Sequence, residues 1–345
     1  MTIKDIAKES GYSVGTVSRT LNNQPGVSEK AKKRITEVVK KYHFQLNQNA
    51  KHLKKQSKDG IAIIIKGTHN MLFAQIVEII QDELKKRGYS SSIYYYSEDT
   101  DEVKKAITIS RERRPYGIMF LGSNLNHFVK SFSAIDIPCM LVTNSAASLK
   151  FNNLSSVTTN DENAAKYAVE QLINLGHKNI GIIGGRKDTS YTALRRYDGC
   201  RLAFKEYGIV SDEKSSYEEA YFDISEGYRA MQRLLSKNKN ITAVFAMADV
   251  MAIGAIRAII DKGLKVPDDI SVIGFDGLEI GDYCNPRLTT ISQQKNQIAL
   301  RSVEILIDKI ETGGNAIHEV VPFYLTPGES IKKILPGIRN TTKED

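Results

Sequence analysis

The chain has 345 residues, 41% hydrophobic and 26% charged, which allows two or three soluble globular domains and gives no sign of disorder. Its net charge of +8 is uneven: residues 1–58 hold eleven Lys and two Arg against one Asp and three Glu, a net of +9, leaving the remainder at about −1. A basic module on a nearly neutral body points to a polyanion met by the first part alone, and a membrane-surface arm is disfavoured because no Trp or Phe face accompanies the charge.

At the start, Thr2 with Asp5 reads as an N-cap pair, and Ile3, Ile6 and Ala7 form an apolar stripe that Gly11 ends. Ser13 can cap a second helix only two residues later, too little chain for an antiparallel pair, so the two helices should cross steeply as in a helix-turn-helix. At about 100° per residue, Val17, Thr20 and Leu21 share one side of the second helix, while Val14, Gly15, Ser18, Arg19 and Asn22 share the other. That small polar face with one guanidinium suits the DNA major groove, where Arg can take guanine O6 and N7. Gly15 is costly inside a helix; close approach to DNA or an ordinary surface position would each account for it. Pro25-Gly26 makes a turn, Ser28 caps a third helix, and Ala31, Ile35, Val38, Val39 and Tyr42 should close a small core. Lys30, Lys32, Lys33, Arg34, Lys40 and Lys41 cover its other faces, a solvated run by charge alone and a set of phosphate contacts beside a reader helix.

From Gly60 short apolar runs alternate with amphipathic stretches: IAIIIKG, YSSSIYYYS, YGIMFLG and IPCMLVTN, each followed by helical or linking sequence. This repeated β-α pattern predicts a parallel sheet. After a link near residues 156–160 a second series begins, with a helix over 161–175, then NIGIIGG, EEAYFDI, AVFAMAD and ISVIGFDG separated by helices. A last helix over 294–311 and the run HEVVPFYL imply that the chain crosses back between the two units. Ligands in such sheets sit beyond the carboxyl ends of the strands. GIIGG could suggest a nucleotide phosphate loop, but neither the Walker pattern nor GxGxxG follows.

TIKDIAKESGYSVGTVSRTLN, GVSEKAKKRI and NQNAKHLKK, with LINLGHKNIGIIGG, RRYDGCRLAF, ADVMAIGAIRAI, VPDDISVIGFDG and PRLTTISQ in the body, resemble the lactose repressor (LacI/GalR) family. The resemblance implies an α/β body of two lobes like type I periplasmic binding proteins, behind an all-α helix-turn-helix headpiece. The expected domains are 1–46 for DNA binding, 47–59 for a hinge helix and linker, 60–160 plus about 293–322 for the first lobe, and 161–292 plus about 323–340 for the second. By the same resemblance Val14, Gly15 and Arg19 would read bases, with Thr2, Ile3, Ser13, Thr16, Ser18, Asn22, Ser28 and Asn47 supporting or touching the backbone. The segment holding Asn47, Ala50 and Leu53 would fold on DNA, with Leu53 wedged into the minor groove; a short polar helix cannot hold alone, whereas two copies packed in a groove can.

For the effector the resemblance implies Arg196 as a fork onto hydroxyls or carboxylates and Asp276, at the end of an apolar strand, as acceptor of two ligand hydroxyls. Arg195 is the competing arginine, and a turn aspartate the plain alternative for Asp276. Asn163, Asp249 and Gln293 would complete a polar ring, with Phe73 and Phe222 against an apolar sugar face. Where the family often has Asn-Asp, this chain has Ala248-Asp249, and Gly277 stands where a second aspartate is usual, so no particular sugar can be carried over.

Cys139, Cys200 and Cys284 lack metal or redox spacing, so reduced thiols, no metal and no cofactor are expected. His69, His127, His177 and His318 have no nucleophile motif beside them, and HExxH and GxSxG are absent, so the chain is not expected to be an enzyme; His177 reads as a helix-end polar residue. No signal peptide or membrane-spanning run is found, so a cytoplasmic protein with no membrane partner is expected. The reading is a homodimeric repressor of a carbohydrate-utilisation operon on near-palindromic operator DNA, controlled by a sugar or sugar phosphate. The alternative is a global carbon-catabolite regulator with a phosphocarrier protein as corepressor.

Overall fold

A computed structural model describes residues 3–21, 25–42, 60–67 and 70–334. The chain divides into two compact units, residues 1–57 and 58–345.

The first unit holds α1 (Ile3–Ser10), α2 (Val14–Leu21) and α3 (Glu29–Lys41). Gly11 ends α1 in the left-handed region (φ 73°), Ser13 Oγ accepts from Thr16 N at 3.2 Å to start α2, and Ser28 accepts from Ala31 N to start α3. Ile6, Ala7, Val17, Ile35 and Val38 form the core, with Tyr12, Leu21 and Val39 against it. Tyr42 is the exception to the expected core: it is exposed, and its hydroxyl reaches Glu9 at 3.2 Å. A ring at the end of α3 gains more by keeping its hydroxyl wet and hydrogen-bonded than by full burial.

The second unit contains two six-stranded sheets. In the first lobe, β1 (Ile61–Lys66), β2 (Ser91–Tyr96), β3 (Gly117–Leu121), β4 (Cys139–Val142) and β5 (Leu154–Thr159) alternate with α4 (Met71–Lys86), α5 (Glu102–Arg113) and α6 (Leu125–Ser131). Every residue of β1, β3, β4 and β5 is buried, the pattern of parallel strands covered on both faces. The second lobe runs α7 (Asp161–Asn174), β6 (Ile180–Gly184), α8 (Tyr191–Glu206), the single turn α9 (Glu213–Ser216), β7 (Tyr217–Glu219), α10 (Ile224–Lys237), β8 (Ala243–Ala246), α11 (Asp249–Asp261), β9 (Ser271–Asp276) and β10 (Thr289–Gln293). The chain then returns: α12 (Lys295–Thr312) packs on α4, β11 (His318–Val321) joins the first sheet parallel to β5, and β12 (Phe323–Thr326) joins the second antiparallel to β10.

The chain thus passes between lobes three times, and the spatial orders are 11-5-4-3-1-2 and 12-10-9-8-6-7. In both sheets the order reverses beside the first strand of the lobe, the place where such folds open a crevice at the strand ends. Several expectations need correction. EEAYFDI is strand only at Glu218 and Glu219, which end β7, and the stretch expected as a link near residues 156–160 is strand through Thr159. HEVVPFYL, where the chain was expected to cross back, is two strands in different sheets divided at Pro322, which lacks the N–H a continuous ladder needs. His177 is buried and lies inside the second lobe, where its ring bridges Thr242 Oγ1 and the Lys332 carbonyl at 3.0 Å each. Burial lowers its pKa, as fits a neutral ring with both nitrogens engaged.

Candidate functional site

Two surfaces present themselves, one in each unit. In the first, α2 turns Val17 inward and leaves Val14, Gly15 and Arg19 exposed, with Thr16 and Ser18 half-buried. A Cβ on Gly15 would meet nothing nearer than Ser13 Oγ at 3.8 Å, so nothing described in this unit requires a glycine there. Ser13 and Thr16 hydroxyls share a 2.9 Å hydrogen bond, and Ser28 caps α3. Their visible task is to set the helix ends that aim α2. Lys30, Lys33, Arg34, Lys40 and Lys41 are exposed on α3, while Lys32 is partly drawn to Glu29 at 2.7 Å. Ile3 lies in α1; Thr2, Asn22, Asn47, Ala50, Leu53 and His69 fall outside the described residues, as does the Ile3 side chain.

The second surface is a cavity of about 200 Å³ between the lobes of the body, lined from both by residues at the carboxyl ends of strands. Since one water needs about 10–15 Å³ on this kind of measure, the space admits a small organic molecule. The second-lobe wall is built around Arg196. Its position on α8 turns it inward, 4% exposed, while Arg195 points out to Glu162 and Asp198. Arg196 Nε donates to Asp161 Oδ1 at 2.8 Å, one terminal nitrogen donates to the Met247 carbonyl, and the guanidinium lies 3.7 Å from the centroid of the Phe275 ring. That leaves the guanidinium fixed in plane beside Asp276, 3.9 Å from its Oδ1.

Asp276 closes β9 with φ at 125°, a backbone that side chains other than glycine rarely adopt and that is held by its surroundings. Gln293 Nε2, from the end of β10, donates to its Oδ1 at 2.8 Å. Burial pushes the Asp276 carboxyl up to about 6, against the opposing pull of Arg196 and the Gln293 hydrogen bond. Asp161, also buried, is raised by the same desolvation, again opposed by Arg196. One guanidinium therefore serves two buried carboxyls.

Phe73 and Phe222 line the cavity from opposite lobes, and each is seated on a glycine. A Cβ at Gly122 would stand 2.9 Å from the Phe73 ring, and one at Gly185 would stand 2.6 Å from the Phe222 ring. The first-lobe wall adds Lys66, Ser123, Thr143 and Asn144. Asn144 Nδ2 donates to the Ser123 carbonyl at 2.8 Å and its Oδ1 accepts from Thr192 Oγ1 at 2.7 Å, a direct hydrogen bond from one lobe to the other.

Arg196, Asp276, Gln293, Phe73 and Phe222 are thus brought together on the cavity; Asn163 and Asp249 are not among its lining residues. Asn163 is exposed in the first turn of α7, where its backbone N–H is capped by Asn160, so its side chain is left in water. Asp249 is wholly buried at the start of α11, accepting from Leu278 N at 2.7 Å and Thr290 Oγ1 at 2.5 Å. It anchors the turn after Asp276 from beneath. Burial and the neighbouring Asp276 raise its carboxyl well above the usual range. Asp161, Lys66, Ser123, Asn144 and Thr192 were missed by sequence reasoning, and only Asp161, an acid at the start of a helix that caps elsewhere, carried any local signal.

Among known proteins, residues 2–47 match the family described as bacterial regulatory proteins, lacI family, and residues 169–331 match a periplasmic binding protein-like domain. The chain is 34% identical over 333 residues to the HTH-type transcriptional regulator MalR of Clostridium butyricum, covering 96% of this chain and 99% of that one. It is 30% identical over 341 residues to the HTH-type transcriptional repressor PurR of Haemophilus influenzae, covering 98% and 99%. A solved structure, the complex of the transcriptional regulator CelR with cellobiose, superposes with a TM-score of 0.69 at 22% identity over 96% of this chain and 99% of that one. No helix of the described residues is long and apolar enough to cross a membrane.

Proposed function

Since the chain belongs to the lacI family of bacterial transcriptional regulators, we propose that it represses a carbohydrate-utilisation operon and responds to a small sugar or sugar phosphate held between the lobes of its body. The observation that carries this is the cavity at the strand ends. It offers two aromatic rings on opposite walls and a fixed Arg196–Asp276–Gln293 group, which is the combination of flat apolar faces and planar donors and acceptors that a polyol needs. The sugar named in the CelR complex is in keeping with that chemistry.

DNA binding falls to α2, with Val14, Gly15 and Arg19 on base edges and the lysines of α3 on phosphates. Two copies of the chain would place two reader helices on a near-palindromic site. Ligand control requires that the ligand bind one arrangement of the lobes better than another; the protein's affinity for DNA then shifts by the same coupling free energy in return. The segment from Asn47 through Leu53, outside the described residues, is proposed as the hinge that reads this difference by folding only on the operator.

The test is titration of the full-length protein onto a promoter fragment and onto a scrambled fragment of equal length at one salt concentration, since phosphate contacts otherwise dominate the comparison. The proposal expects the promoter fragment to bind at least about 1000-fold more tightly. Equal affinity for the two would leave only a nonspecific DNA-coating role.

A further inference from the structure

The first-lobe wall holds a hydroxyl that no described residue engages. Ser123 is 4% exposed, lines the cavity, and its Oγ has no hydrogen-bond partner among the described residues. Its backbone is well engaged: the carbonyl accepts from Asn144, and the next residue's N–H donates to Glu102 Oε1 at 2.6 Å. Leaving a buried hydroxyl unpaired is costly, so a partner in the bound state is the plainest account of its retention.

The same Glu102, 1% exposed, also holds Lys66 in the wall. Its Oε2 lies 3.3 Å from Lys66 Nζ and 2.6 Å from His127 Nδ1. Lys66 closes β1, is 7% exposed and lines the cavity. An ammonium has three donors, and among the described residues only Glu102 takes one, which leaves the others for a ligand oxygen. One buried carboxylate thereby fixes both a donor from β1 and the loop that carries Ser123.

We propose that Ser123 Oγ and Lys66 Nζ form a subsite for a hydroxyl of the ligand, and that the cavity takes the neutral sugar in preference to its phosphate. A hydroxyl accepts from Lys66 and exchanges a hydrogen bond with Ser123, which a hydroxyl can meet as either donor or acceptor. The preference for a neutral molecule follows from the charges. Each cation of the lining is already matched: Lys66 by Glu102, Arg196 by Asp161 and Asp276, and Arg186 by Asp188 at 3.0 Å. Glu98, Asp99 and Glu219 line the cavity as well. A phosphate dianion would bring charge into a wall whose described residues hold no surplus cation, at the cost of its own desolvation.

This inference rests on the reading of the cavity as the effector site, and two readouts on the full chain separate their failures. The first needs no ligand. Ser123→Ala removes a hydroxyl with no partner, so its melting temperature stays at or above that of the parent; a fall of more than about 4 °C would mean an internal hydrogen bond had been lost and would overturn the subsite. The second is calorimetric titration with glucose, maltose, cellobiose, ribose and glucose 6-phosphate. The subsite predicts that a neutral sugar that binds the parent binds Ser123→Ala about tenfold more weakly, that Ser123→Thr restores most of the loss, and that glucose 6-phosphate binds no more tightly than glucose. Undiminished binding to Ser123→Ala, or tighter binding of the phosphate, would overturn the subsite alone. Silence of the parent towards all five would overturn the effector reading and the subsite with it.

Discussion

The two walls of the cavity are built on opposite plans. The second-lobe wall is braced by its own side chains: Arg196, Asp161, Asp276 and Gln293 hold one another through direct hydrogen bonds and ion pairs before any ligand arrives. The first-lobe wall is held from behind, by Glu102 and by the backbone of the Ser123 loop, and keeps the Ser123 hydroxyl without a partner among the described residues. Side chains that brace one another position a ligand with little further ordering, whereas a buried hydroxyl left unpaired gains most when a ligand supplies its partner. The lobes meet at Asn144 and Thr192, so a ligand touching both walls bears directly on how closely they approach.

The sharpest way to break this contrast is Arg196→Ala. It leaves Asp161 and Asp276 buried without their cation, so about 3–5 kcal/mol of body stability is lost in thermal or urea unfolding, and the ligand response disappears while the headpiece still binds DNA. Arg196→Lys does not restore the response, because a point charge cannot serve both carboxyls and the carbonyl of Met247 in one plane. A variant that kept full stability would show that the side chains of the second wall do not brace one another.

Asp249→Ala tests support from below. It removes the acceptor of Leu278 N and Thr290 Oγ1, and about 2–3 kcal/mol of stability goes with it in the same unfolding measurement. Ligand affinity falls by less than about tenfold, since the side chain lies outside the cavity. A total loss of affinity at unchanged stability would return Asp249 to the binding ring.

A pH series sharpens the role of Asp276. With its carboxyl raised from the ordinary 3.8 to about 6, it is ionised at pH 7.5 and mostly protonated at pH 5. Ligand affinity therefore falls about tenfold over that range if the carboxylate accepts ligand hydroxyls, and Asp276→Asn flattens the profile. The stability of the ligand-free protein moves the other way. A raised carboxyl contributes stability that is fully present below its ordinary value and lost as pH rises through about 6, so the body gains from this group on acidification from pH 7.5 to 5. The smallest effect belongs to Asn163→Ala, which changes neither ligand nor DNA affinity by more than about twofold, as checked by calorimetry and fluorescence anisotropy, because its side chain is exposed and its helix is capped by Asn160.

Much of the architecture was legible because it rests on local signals. Gly11, Ser13 and Ser28 punctuate the headpiece, and the buried runs IAIIIK, GIMFL and SVIGFD mark parallel strands. Arg196 and Asp276 could be placed because RRYDG and GFDG resemble known motifs in register. What the sequence did not disclose depends on long-range pairing. Asp161 and Arg196 are 35 residues apart, and Glu102 gathers Lys66 from β1 with Asn124 and His127 from the start of α6. Asn163 and Asp249 were misplaced for a related reason: each begins a helix near the strand ends, but the phase of α7 turns Asn163 to water, and the packing of α11 under β9 and β10 buries Asp249.

The central claim is that occupancy of the cavity governs DNA binding. It is tested most directly by measuring the affinity of the full-length protein for its promoter fragment at fixed salt, with and without saturating neutral sugar, for the parent and for Arg196→Ala. The account predicts that a sugar shifts the parent's affinity about tenfold or more in either direction and leaves Arg196→Ala unmoved. An equal shift in both proteins, or none in the parent with a sugar bound in the cavity, would contradict it.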